Sequence, residues 1–135
     1  FLHARMFRDW GFESLNNVVY KASIEEMKHA ERVIDRILYL DGVPEIARYG
    51  VINVGKTPEE QIENSLKLET LGVSTYNDAI CLTIEEKDAG SKDLMEEMVV
   101  ESEHSIDWCE AQLDLIQRVG IQNYLAQQMG EAPPE

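Results

Sequence analysis

The chain is poor in the residues that staple small folds or carry them across membranes. Cysteine occurs only twice among 135 residues, at Cys81 and Cys109, and proline four times, two of them in the terminal Pro133-Pro134. Two cysteines inside helical patterns, without the spacing of a zinc site, are expected to be buried free thiols rather than a disulfide, which fits a reducing, cytoplasmic setting. No apolar stretch approaches the roughly 18 residues of a membrane span, and no charged leader precedes an apolar segment. Basic residues are also scarce. Twelve face 26 acidic ones, for a formal net charge of -14, so a phosphate backbone or an anionic lipid surface is repelled. Nucleic acid and membrane are therefore excluded as expected partners, and cations are favoured.

The chain length suits a single domain, since a domain typically holds roughly 100–150 residues. Phe1, Leu2, Met6, Phe7 and Trp10 form an apolar pattern with no capping residue before it, which reads as the tail of a helix over 1–11 whose earlier part is missing. A second pattern runs over 14–40 without Pro or Gly and predicts one long helix. Asp41-Gly42-Val43-Pro44 stops it. Residues 41–56 then read as a long crossover, with Val51 to Val54 as a possible short extended piece. Thr57-Pro58-Glu59-Glu60 supplies an N-cap, a first-turn proline and a Glu at the third helical position, and so opens a helix over 57–87. The short link Asp88-Ala89-Gly90-Ser91 implies an antiparallel neighbour over 91–119. Gly120 breaks that helix, a short helix is expected over 121–129, and 130–135 reads as a frayed tail. The expected fold is all-α: a four-helix bundle with a long crossover after its second helix and a short fifth helix at the C-terminus.

Ionisable residues interrupt two of the apolar faces. Leu15, Val19, Ala22, Glu26, His29, Val33, Ile37 and Leu40 recur at spacings of three and four, so Glu26 and His29 stand where Leu or Val is expected. Ile62, Leu66, Glu69, Val73, Tyr76 and Ile80 repeat the pattern with Glu69 in the middle. Burying such groups is costly unless something satisfies them, and a metal ion does so for carboxylate and imidazole together. The alternative is a core His paired with a Glu one turn away and an unrelated Glu69. A Glu-x-x-His on one helix and a lone Glu on another are parts of the ferritin-like di-iron pattern, whose hard oxygen donors with one imidazole per ion suit iron. Met27 points about 100° away, on a second apolar stripe with Tyr20, Ile24, Ile34 and Leu38 that suggests a subunit interface. Spacing alone makes Met27 an interface residue.

The segments Phe1-Leu2-His3-Ala4-Arg5-Met6-Phe7, Ile24-Glu25-Glu26-Met27-Lys28-His29-Ala30-Glu31-Arg32 and Ile37-Leu38-Tyr39-Leu40-Asp41-Gly42-Val43-Pro44 closely resemble bacterioferritin, as do Ile106-Asp107-Trp108 and Leu113-Asp114-Leu115-Ile116. The resemblance covers essentially the whole chain. It implies a cage of twenty-four subunits, built from two-fold dimers, that oxidises Fe(II) with oxygen or peroxide and stores ferric mineral. It also implies a b-type haem shared by two subunits through Met27 and bordered by Phe1, Tyr20 and Ile24. Glu26, His29 and Glu69 match the family's iron ligands, with Glu69 bridging two irons, while another Glu ligand belongs to the part of the first helix before Phe1. A reductase or ferredoxin is implied for iron release.

The family pattern is broken on the fourth helix. Ser102 and Ser105 stand where a Glu and a His are expected, while Glu101 and His104 form a Glu-x-x-His one residue earlier. Two stripes there remain open, one through Met95, Val99, Ser102, Ile106, Cys109, Leu113 and Ile116, the other through Leu94, Met98, Glu101, His104, Trp108, Ala111 and Leu115. Lys21 also replaces a His that some relatives use to move iron inward. Three accounts follow: a ferroxidase subunit with its own di-iron centre, a haem-binding structural subunit of a mixed cage whose sister subunit oxidises iron, or a helical dimerisation module outside iron chemistry.

Overall fold

The computed structural model describes residues 1–130 as five helices: α1 (Leu2–Asp9), α2 (Glu13–Tyr39), α3 (Pro58–Glu85), α4 (Ala89–Val119) and α5 (Ile121–Ala126). There is no strand among the described residues, so the extended piece considered at Val51 to Val54 is irregular chain. The tail expected over 131–135 lies outside the described residues.

α3 and α4 each start at a side-chain cap. Thr57 Oγ1 accepts the Glu60 backbone N–H at 3.2 Å, and Glu60 Oε2 accepts the Lys56 N–H at 2.7 Å, which together satisfy two orphan donors at the start of α3. Asp88 does the same for α4 by accepting the Ser91 N–H at 3.0 Å. Because Asp88 is the cap, Ala89 and Gly90 are already helical, and α4 begins two residues before the expected start at 91. α5 is shorter than expected and stops at Ala126. Gly120 turns the chain into it with φ near 80°, a backbone conformation that L side chains adopt only with strain.

α3 and α4 form an antiparallel hairpin, and α1 folds back on the first half of α2. The crossover of irregular chain after α2 is long enough to return along its full length, because 27 helical residues span about 40 Å while the 18 residues between α2 and α3, if extended, reach more than about 50 Å. α2 and α3 therefore run in the same direction, which brings Leu15 and Ile62 together at one end. Phe7, Leu15, Ile62, Cys109, Ile116 and Tyr124 form the buried apolar cluster there, with Trp10, Phe12 and Leu125 against it. The carbonyl of Gln128 accepts the Ser14 N–H at 3.1 Å and ties the C-terminal segment onto the start of α2.

At the opposite end, polar contacts replace apolar ones. Arg36 donates from Nε to Ser91 Oγ at 2.8 Å and from Nη2 to Asp88 Oδ1 at 2.5 Å, while its guanidinium lies 4.8 Å over the Tyr39 ring. The apolar cluster should dominate stability. Phe7→Ala is expected to cost about 3–5 kcal/mol by leaving a cavity, against about 1 kcal/mol for the lost cap in Thr57→Ala; denaturant unfolding of both variants checks the ranking.

Candidate metal centre

Between these two ends, α2, α3 and α4 enclose an open cleft of about 490 Å³. Glu26 and His29 from α2, Glu69 from α3, and Glu101, His104 and Ser105 from α4 all line it. The three ligand candidates on α2 and α3 thus reach one cavity, although they are not equally buried. His29 has 14% of its side chain exposed and Glu26 has 55%. Among the described residues, α2 has only Leu15 and Asn16 buried, and its middle, with Glu26, lines the cleft.

Burial and nearby charge act together on Glu69. Burial holds its carboxyl above the ordinary range, the Glu26 charge pushes the same way, and a hydrogen bond donated by the Ser102 hydroxyl partly offsets both. Tyr76, two positions further along the α3 stripe, is raised by burial and by the charges of Glu26 and Glu69. A cation placed between the carboxylates would relieve these penalties. The donor chemistry therefore fits iron in kind. The side-chain arrangement itself is loose: among the described residues, no group of three or more His, Cys, Asp or Glu is gathered closely enough to hold a metal ion.

The register of α4 resolves into neither of the two expected stripes. Its inner face runs through Ser91, Leu94, Met98, Ser102, Cys109 and Ile116, which are buried, with Ser105 between them on the cleft wall. Two successive steps of four, Leu94 to Met98 to Ser102, carry the buried line from one stripe to the other. Ser102 faces Glu69, while Glu101, turned about 100° away, engages His29 Nε2 on α2. His29 Nδ1 lies 3.5 Å from Glu26 Oε2 on the other side of the ring. Lys21 also lines the cleft.

Met27 lies away from the cleft with 69% of its surface exposed, on a helix face where Tyr20, Ile24, Ile34 and Leu38 are also exposed. The Phe1 and Tyr20 rings meet there at 6.0 Å between centroids.

Sequence reasoning gave no site role to Cys109, which floors the cleft and belongs to the apolar cluster. Its position four residues beyond Ser105 was the available signal. Burial, then the charges of Glu69 and Glu110, push its thiol up to about 11. Cys81 is exposed on α3, so the expectation of two buried thiols holds for Cys109 alone; the α3 stripe passes through Ile80 and leaves Cys81 turned outward.

Residues 1–119 match the Ferritin family, a ferritin-like domain, and the chain belongs to that class. It is 39% identical over 133 residues to the bacterioferritin of Mycobacterium leprae (strain TN) and 38% identical over 133 residues to bacterioferritin BfrA of Mycobacterium tuberculosis (strain ATCC 25618 / H37Rv), in each case covering 98% of this chain and 84% of the relative. The bacterioferritin of Brucella melitensis biotype 1 is 33% identical over 134 residues, covering 99% and 82%. Within the ferritin-like class, the chain is a member of the bacterioferritins. No helix among the described residues is long and apolar enough to cross a membrane.

The two thiols should behave differently. At pH 8, iodoacetamide is expected to modify Cys81 and spare Cys109 in the folded chain, as read by peptide mass spectrometry. The unfolded thiol releases its proton near 9.0 while the folded one keeps it to about 11, so the folded state binds more protons over that window. The Cys109 contribution to stability is therefore full below about pH 9 and is lost as pH rises towards 11, which Cys109→Ser should flatten in alkaline unfolding curves.

Proposed function

We propose that this chain is a subunit of an iron-storing cage in which Fe(II) binds at Glu26, His29 and Glu69, is oxidised by oxygen or peroxide, and passes to a ferric mineral inside. Iron storage with ferroxidase activity is the function at the level of the bacterioferritin family. The observation that carries the reading to this chain is Glu69: a carboxylate raised by burial and by Glu26, in a cleft that His29 also lines. Carboxylates bind Fe(II) and favour the more highly charged Fe(III) still more, so this donor set lowers the barrier to losing an electron. The surplus acidity of the chain draws cations towards it.

The cage is taken as twenty-four subunits arranged as two-fold dimers, in the cytoplasm, with a reductase or ferredoxin returning electrons for iron release. Met27 is the proposed ligand of a b-type haem shared by two subunits. Its exposed thioether on an apolar face beside Phe1, Tyr20 and Ile24 supports that role. Bound haem supplies a redox-active iron; the chain supplies the thioether and the apolar surface that shields the ring from water.

Ser102 favours a second reading. A hydroxyl rather than a bridging carboxylate meets Glu69, and Ser105 offers no imidazole. On that reading the chain is a haem-binding structural subunit of a mixed cage with an impaired centre. Rapid mixing of the metal-free homopolymer with Fe(II) separates the two. A fast phase stoichiometric with subunits, lost in Glu69→Ala, is expected for the ferroxidase; oxidation near background with an intact haem Soret band identifies the structural subunit. Met27→Leu should abolish the Soret band and leave the cage assembled, as read by size-exclusion chromatography. A band that survives the change removes the ligand assignment.

A further inference from the structure

The crossover from α2 to α3 is a strap fastened near its far end. Val43, Ile46, Tyr49, Val51 and Ile52 are exposed along it, and among the described residues no hydrogen bond from residues 43–54 reaches another element. At Gly55 the chain is gripped from two sides. His3 Nε2 on α1 accepts the Gly55 N–H at 3.1 Å, and Gln61 Nε2 on α3 donates to the Gly55 carbonyl at 3.0 Å. The grip is close, because a Cβ on residue 55 would lie 2.5 Å from the Gln61 backbone nitrogen, a distance that only glycine avoids. Beside it, His3, residues 49–53 of the crossover and Asn64, Ser65 and Leu68 of α3 enclose a second cleft of about 310 Å³. Of the two gripping side chains, the Gln61 amide does not titrate. His3 does.

We propose that His3 is a proton-operated latch: neutral, its Nε2 lone pair holds the Gly55 N–H and keeps the crossover closed over the second cleft; protonated, Nε2 becomes a donor facing a donor, and the end of the crossover comes away from α1. The latch is separate from the proposed iron centre, since neither His3 nor Gly55 lines the cleft of Glu26, His29 and Glu69. A neutral imidazole that accepts at one nitrogen carries its hydrogen on the other, so the bond to Gly55 also fixes the tautomer. No carboxylate lines the second cleft to hold an extra proton on the ring. The crossover faces His3 with Tyr49, α3 faces it with Asn64, Ser65 and Leu68, and the Phe1 amino group two residues away is a cation. Burial first, then that amino group, hold the imidazole below its ordinary value of 6.5. The folded chain therefore prefers neutral His3, so the latch is fully closed above about pH 6.5 and is lost as pH falls through the lowered folded value.

The test is hydrogen exchange on the assembled full chain, read by mass spectrometry with fragmentation that separates the Gly55 amide from that of Lys56, which Glu60 holds. Corrected for the intrinsic rate, Gly55 protection is expected to be constant above about pH 7, to fall by up to about tenfold per pH unit below 6.5, and to level off below the folded value. Amides around Ile116 in the apolar cluster should stay protected throughout. H3Q, whose side-chain oxygen accepts without titrating, is expected to keep the protection and lose its pH dependence, whereas H3A should lack the protection at every pH. Wild-type protection that ignores pH, a pH step that survives in H3Q, H3A protection equal to wild type, or a loss that spreads to Ile116 over the same pH range overturns the latch.

Discussion

The chain depends on how α2 is held, because α2 carries two of the three candidate iron ligands yet buries almost none of its own middle. Apolar packing fixes it at one end, through Leu15 against Phe7, Ile62 and Tyr124. Beyond that point, charged and hydrogen-bonded rungs to α4 take over, from His29 to Glu101, Arg32 to Glu97 and Arg36 to Asp88. Exposed ion pairs are worth little each, about 0–1 kcal/mol, so the half-buried Arg36 rung, with bonds to two residues and a stacked tyrosine, contributes most of the hold. Gly90 is part of that joint: a Cβ there would lie 2.9 Å from the Arg36 guanidinium. The cleft lies against the centre of this helix, between its two anchored ends.

That cavity concentrates negative charge in a chain already rich in it. Glu26, Glu69 and Glu101 share one cleft, and the raised proton affinities of Glu69 and Tyr76 record burial first and then the nearby charge of Glu26, joined at Tyr76 by that of Glu69. Ser102 tempers these effects by donating to Glu69.

Much of this was legible in the residues. The three-and-four spacing through Glu26 and His29, the stripe through Glu69, and the Thr57-Pro58-Glu59-Glu60 start all act within one helix, where periodicity and capping are local physics. The register of α4 was not legible, because strict alternation of three and four has a period of 3.5 while a straight helix turns every 3.6 residues. Over α4 that difference moves the buried line from Leu94 and Met98 across to Ser102 and Cys109. The exposure of Glu26 depends on what faces α2 from other elements, which no single-helix pattern contains. Glu101 was visible as a donor, but its partner nitrogen on His29 required the relative rotation of two helices.

Asymmetry along α2 also bears on motion. The helix resembles a beam clamped in the apolar cluster around Leu15 and pinned at its far end by Arg36. Between clamp and pin, the span over the cleft can bow outward by breaking the Arg32 and His29 rungs, whose partners are already wet, while the aromatic cluster stays packed. Such local opening draws on the low end of a protein's stability range rather than on global unfolding. Local opening and preservation of the fold are thereby assigned to different parts of one helix.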